Sequence, residues 1–164
     1  MKFPITLLFL LAAVVALASA ATEPKTGISF PDSYKGSNLE SLGVRTKGPI
    51  KVYGVGKYDH TFVLKMSMGV GSAKMTNALA DALKPRGCDQ DTIEEFSSVL
   101  LGGLPKSGAS KGTSLAFGTD GGKLSIAVND KHVGTIPSKP LAKAFAGIYT
   151  DGKAVCKLCP VEKE

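Results

Sequence analysis

The hydrophobic period of this chain changes repeatedly along its length, and the order of those changes restricts the fold more than any single residue does. From Leu39 to Met68 the apolar residues come in short runs broken by turn formers. That pattern predicts strands over 39–46, 50–58 and 61–68, with Asp59 and His60 as a tight hairpin connection. From Ser72 the spacing becomes helical, with Met75, Leu79 and Ala82 on one stripe, Ser72 as the expected cap and Pro85 as the stop. Asp91 followed by Glu94 predicts a capping-box start for a second helix carrying Ile93, Phe96 and Leu100, ended by Gly102 and Gly103. Short strands return over 113–118, 123–128 and 132–136, joined by Asp120-Gly121-Gly122 and Asn129-Asp130-Lys131. Lys139-Pro140 then opens a last helix with Leu141, Phe145 and Ile148 facing inward. A brief strand over 28–30 precedes all of this and stops at Pro31. Strands, two helices, strands and one helix make an α+β order, with helices gathered on an antiparallel sheet.

The first 20 residues stand apart. Lys2 supplies a basic start, an apolar run follows from Ile5 to Leu17, and Ala18-Ser19-Ala20 fits the small-residue cleavage rule. The expectation is a secretory signal peptide over 1–20, cleaved after Ala20, with the mature protein secreted or held in the lumen of an internal compartment. The run is short for a bilayer and no second one follows, so no stable membrane anchor is expected after cleavage. The remainder suits one domain, read as a loose polar lead over 21–26, a folded domain over 27–156 and a tail over 157–164.

Without the leader the chain carries 19 basic against 14 acidic side chains. The lysines are scattered among apolar residues and no tryptophan is present, which argues against nucleic acid and for a solvated surface. Lys106 to Gly112 reads as a flexible polar loop. It lacks the order of a phosphate-binding loop and has no helix after it. His60 reads as a solvated turn residue, and neither it nor His132 stands at a zinc-finger spacing from the cysteines, so no metal or cofactor is expected.

Cys88, Cys156 and Cys159 form an odd set. After secretion, a disulfide within the tail pair or from Cys88 to one of the two is expected, and the pairing stays open. Cys156-Lys157-Leu158-Cys159 has redox-motif spacing, but it follows a helix and meets Pro160 instead of opening a helix after a strand.

The segment from Leu42 to Tyr58 carries the chemistry. Arg45 cannot shed its charge, so inside a domain it needs a partner, and a bound anion is one. A strand-end arginine in water or paired with a carboxylate is the competing reading. Alternation sets Lys51, Tyr53, Val55 and Lys57 on one face, with Tyr53 at the sheltered middle and the lysines reaching water. Core packing of Tyr53, its hydroxyl on a backbone group, competes with ligand contact.

FPDSYKGSNLESLGVRTKGPIKVYGVGKY resembles the amino-terminal strands of chalcone isomerase-like proteins, and PLAKAFAGIYTDGKAVC is similar to their last helix and following turn. The resemblance spans about Gly27 to Cys156. It implies an open-faced β-sandwich, an antiparallel sheet with helices packed on one face and a ligand cleft between the layers.

The family's enzyme branch, intramolecular lyases that close a ring on an enone, implies catalytic roles for Arg45, Tyr53 and Lys74. Tyr53 stands where that branch has threonine, no tyrosine appears in the first helix region, and Asn77 falls out of register for the asparagine. The fatty-acid-binding branch implies an arginine and a tyrosine on neighbouring strands that hold a carboxylate, a pair matched by Arg45 and Tyr53. The leading expectation is therefore a binding domain for a fatty acid or phenolic anion, gripped by Arg45 and Tyr53. Val55, Met66, Met68, Met75 and Leu79 are expected along the tail, and Tyr58 and Tyr149 as packing. Isomerase action on an enone is the alternative, and a non-catalytic structural or interaction domain is the second.

Overall fold

The structure, a computed structural model, describes residues 19–162; the leader expected over 1–20 therefore lies outside the described residues except for Ser19 and Ala20. β1 (Ala20–Thr22) pairs antiparallel with β2 (Ser29–Pro31), and β3 (Ser33–Tyr34) with β4 (Ser37–Asn38). The main sheet is built from β5 (Ser41–Lys47), β6 (Ile50–Tyr58), β7 (Thr61–Met66), β8 (Ser114–Gly118), β9 (Leu124–Val128), β10 (Lys131–Ile136) and β11 (Cys159–Pro160). Its seven strands run antiparallel in the order β10-β9-β8-β7-β6-β5-β11. The two-residue turns take the left-handed backbone that sharp hairpins need: Asp59 has φ 52°, and Asn129 and Asp130 have φ 49° and 65°.

Three helices, α1 (Ser72–Leu83), α2 (Gln90–Gly103) and α3 (Lys139–Thr150), cover one face, as the α+β order predicts. Their apolar stripes and the inward residues of the sheet form the main core, centred on aromatic rings. Phe145 of α3 stacks on Phe117 at 4.3 Å and stands 6.2–6.3 Å from Phe96 and Phe62. Burying each such ring contributes about 1.5–3 kcal/mol. The caps differ from expectation. Asp89, not Asp91, caps α2, accepting from the Thr92 amide at 2.7 Å. Ser72 does not cap α1, because its hydroxyl donates instead to the Pro105 carbonyl at 2.5 Å and Gly71 holds the cap position.

A second, smaller cluster lies on the opposite face, where Phe30 and Leu39 pack against Leu42, Tyr58 and Val63. Phe30 rests on bare backbone: a Cβ at Gly56 would stand 2.8 Å from its ring. The lead over 21–26, expected to be loose, is a closed turn between β1 and β2. Glu23, only 3% exposed, accepts from the amides of Lys25 at 3.0 Å and Thr26 at 2.7 Å. The loop over 106–112 is also less free than its composition suggested, since Ala109 is fully buried and exchanges two backbone bonds with Val70.

Of the tail expected over 157–164, the described residues 157–162 are drawn into the fold by β11, which pairs with Ser41 and Leu42. Its half-buried Leu158 joins the main core and Val161 the second cluster. All three cysteines are free thiols, so the expected disulfide is absent; Cys156 is half-buried while Cys159 faces solvent on β11. Among the described residues no helix is long and apolar enough to cross a membrane, and no cluster of side chains suits a metal ion.

Candidate ligand-binding site

A pocket of about 180 Å³ opens where the β5–β6 hairpin meets α1 and the end of α3. Its walls are mostly aliphatic, with Met75, Leu79 and Ala82 from α1, Ile148 from α3 and Val155 from the segment after it. Arg45, Lys47, Lys74 and Tyr53 are the ionisable residues on the lining, so three cations face it and no carboxylate does.

Arg45 is half-buried on β5, directly opposite Tyr53 of β6. Its Nη1 donates to the carbonyls of Thr46 at 3.3 Å and Val155 at 3.2 Å. No acidic side chain within ion-pair distance meets it among the described residues. Two carbonyl dipoles hold the guanidinium in place without neutralising it, and Nε and Nη2 keep donors in the fork geometry that suits a carboxylate.

Tyr53 is buried, with its hydroxyl 3.0 Å from that of Tyr149. Two phenols in one hydrogen bond bring two protons and use one. The pair therefore retains a donor with no acceptor among the described residues. Burial first, and the thiol of Cys156 to a lesser degree, push the Tyr53 phenol up to about 12, while the Tyr149 hydrogen bond and Arg45 pull the other way. Tyr149 is raised further, again chiefly by burial. Both are neutral donors at physiological pH. Burial also lifts the Cys156 thiol to about 11 against the pull of Arg45, which leaves it a poor nucleophile.

A β-bulge shapes the site in a way the alternation did not foresee. Arg45 pairs with Tyr53 and Thr46 with Lys51, so Val52 is an extra residue with no partner on β5. Ile50, Val52 and Tyr53 all reach the pocket as a result. Lys51 is turned away from it, donating to the Lys25 carbonyl at 2.5 Å. Lys51 therefore does not share a face with Tyr53, which corrects the simple alternation.

Arg45, Tyr53 and Lys74, drawn from β5, β6 and α1, are brought to one lining. Of the residues expected along a ligand tail, Met68, Met75 and Leu79 line the pocket. Val55 and Met66 do not; both are fully packed into the core. Sequence reasoning missed Val155, whose carbonyl positions Arg45, and the hydroxyl role of Tyr149, which it took for packing alone. His60 and His132 are exposed and lie away from the pocket, so no side chain that ordinarily titrates near neutrality lines it.

No protein-family model matches the chain, and no curated protein sequence does. Among solved structures, the chain is similar to the crystal structure of a fatty-acid binding protein from Arabidopsis thaliana. The TM-score is 0.72 at 21% identity, over 84% of this chain and 91% of that one.

Proposed function

We propose, on the premise of its chalcone isomerase-like fold, that this chain binds a fatty acid or similar small apolar anion, with Arg45 and Tyr53 on the head group. The observation that carries the reading is a half-buried guanidinium with no carboxylate partner among the described residues, at the edge of an aliphatic pocket. A bound carboxylate would accept from the free side of that fork and from the surplus phenol proton of the Tyr53–Tyr149 pair. The solved fatty-acid binding protein of the same fold supports the ligand class. The isomerase alternative gains no such support, and Tyr53, its candidate proton donor, is a weak acid at about 12.

Native mass spectrometry of gently purified protein tests this reading. Wild type is expected to carry a lipid-sized mass that Arg45→Ala loses, and titration with a fluorescent fatty acid should weaken about 10–100-fold, the value of a charge-assisted bond. Bound lipid that persists unchanged in Arg45→Ala would exclude the head-group role. We also propose that the mature protein enters the secretory pathway, on the leader signature over 1–20; the same mass measurement on a secreted preparation should give a chain beginning at Ala21.

A further inference from the structure

We propose that the mouth of the Arg45 pocket docks reversibly onto an anionic lipid bilayer, with Ile50 and Met68 entering the head-group layer and Lys47, Lys74 and Lys106 meeting its charge. The inference deepens the fatty-acid reading and rests on it for its purpose, since a surface that touches lipid beside an acyl pocket would load or unload that pocket without carrying the tail through water.

Three large apolar side chains are exposed among the described residues: Ile50 at 49%, Leu101 at 46% and Met68 at 38%. All three lie at one end of the molecule. Ile50 and Met68 are on the rim of the Arg45 pocket, and Leu101 lines the adjoining groove beside the start of α1. Lys74 belongs to both linings and joins them into one surface. Ile50 begins β6 just beyond the hairpin turn at Gly48 and Pro49, where an aliphatic side chain is held outward. The Ser67 amide bonds the Val52 carbonyl, which sets Met68 beside the same strand end.

The charge around these tips has one sign. Lys47 and Lys74 line the pocket, Lys106 lines the groove, and no aspartate or glutamate lines either. Aliphatic tips ringed by flexible lysines match the chemistry of an anionic membrane surface, where each lysine is attracted without needing a fixed partner and each apolar tip leaves water. A protein hot spot would favour exposed aromatic residues at its centre, whereas the exposed tips here are Ile50, Met68 and Leu101, and the tyrosine of the lining, Tyr53, is buried. With no membrane-crossing helix among the described residues, such docking would be peripheral and salt-sensitive.

Flotation of the mature chain with vesicles tests the proposal. Wild type should float with phosphatidylcholine vesicles containing about a quarter phosphatidylglycerol, stay behind with phosphatidylcholine alone, and detach as salt rises to about 1 M. Ile50→Asp with Met68→Asp should lower the bound fraction at least tenfold, as should Lys47→Glu with Lys74→Glu. Because the chain has no tryptophan, Ile50→Trp supplies a single reporter whose emission should shift to shorter wavelength with anionic vesicles only, and it does not depend on the charged variants folding. Arg45→Ala should float like wild type while losing its fatty acid, so failure of the head-group reading and failure of docking are separate results. Absence of flotation on anionic vesicles would overturn the proposal. So would salt-sensitive binding that ignores the Ile50 and Met68 changes, which is plain polyanion attraction, or flotation lost only in Arg45→Ala, which would place the lipid contact inside the pocket.

Discussion

The proposed role of Arg45 and Tyr53 rests on what their neighbours leave undone. The carbonyls of Thr46 and Val155 orient the guanidinium but bring no negative charge, and the one hydrogen bond between the Tyr53 and Tyr149 hydroxyls uses one of the pair's two protons. Tyr53→Phe removes one phenol, so fatty-acid affinity should fall about 2–10-fold, less than for Arg45→Ala, in an equilibrium titration at neutral pH. The same variant has an alkaline signature. Burial raises the folded Tyr53 from the usual 10 to about 12, so the native state holds its proton more tightly than the unfolded chain does. Its contribution is fully present below pH 10 and declines as pH rises towards 12, by roughly 1 kcal/mol per pH unit for one proton. Denaturant melts between pH 9 and pH 12 should show a shallower loss in Tyr53→Phe than in wild type, and identical slopes would contradict a buried neutral phenol at this position.

At the scale of elements, the hairpin and helix order was legible in the sequence because each run had enough residues to show its period. The strand predicted over 50–58 coincides with β6, and Leu141, Phe145 and Ile148 of α3 are fully buried as their spacing required. What escaped was decided by contacts between elements. Asp89 and Asp91 are equal as caps on paper, and only the path of the chain into α2 selects Asp89. Ser72 has the right chemistry for a cap, but Pro105 takes its hydroxyl. Cys159-Pro160 is too short to show any period, and Glu23 looks like a solvated acid until a turn closes around it. The bulge at Val52 was the consequential miss, because strict alternation assigns Lys51 to the face of Tyr53. Deleting Val52 tests its role directly. The β5–β6 register would become continuous with Lys51, now next to Tyr53, still turned away and Ile50 still on the pocket face, so what is lost is the Val52 side chain of the lining and the local bend of the bulge. The expected outcome is a folded protein, by circular dichroism, whose fatty-acid affinity drops about 3–10-fold, the value of one partly buried aliphatic side chain; unchanged affinity would show that the bulge does not shape the pocket.

Across the whole molecule, the tail is the part that ties the site to the fold. Without β11, the edge of β5 beside Ser41 and Leu42 would be bare, and Gly43, where a Cβ would stand 2.7 Å from the Lys157 carbonyl, would lose its cover. Leu158 and Val161 pack on opposite layers, so one short segment contributes apolar contact to both the main core and the second cluster. No disulfide secures it, and the two clusters hold it by packing together with the backbone bond from the Val161 amide to the Glu40 carbonyl. Half-burial of two aliphatic side chains amounts to about 2–3 kcal/mol, so removing residues 157–164 should lower the melting temperature by roughly 5–10 °C. The exposed β5 edge should also pair between molecules, visible as dimers or larger species in light scattering. Val155 precedes the cut and Arg45 depends on its carbonyl, so the truncated chain should bind fatty acid more weakly even where it remains folded and monomeric. A truncated protein with wild-type melting and wild-type affinity would mean that the seventh strand is an ornament on a site already complete without it.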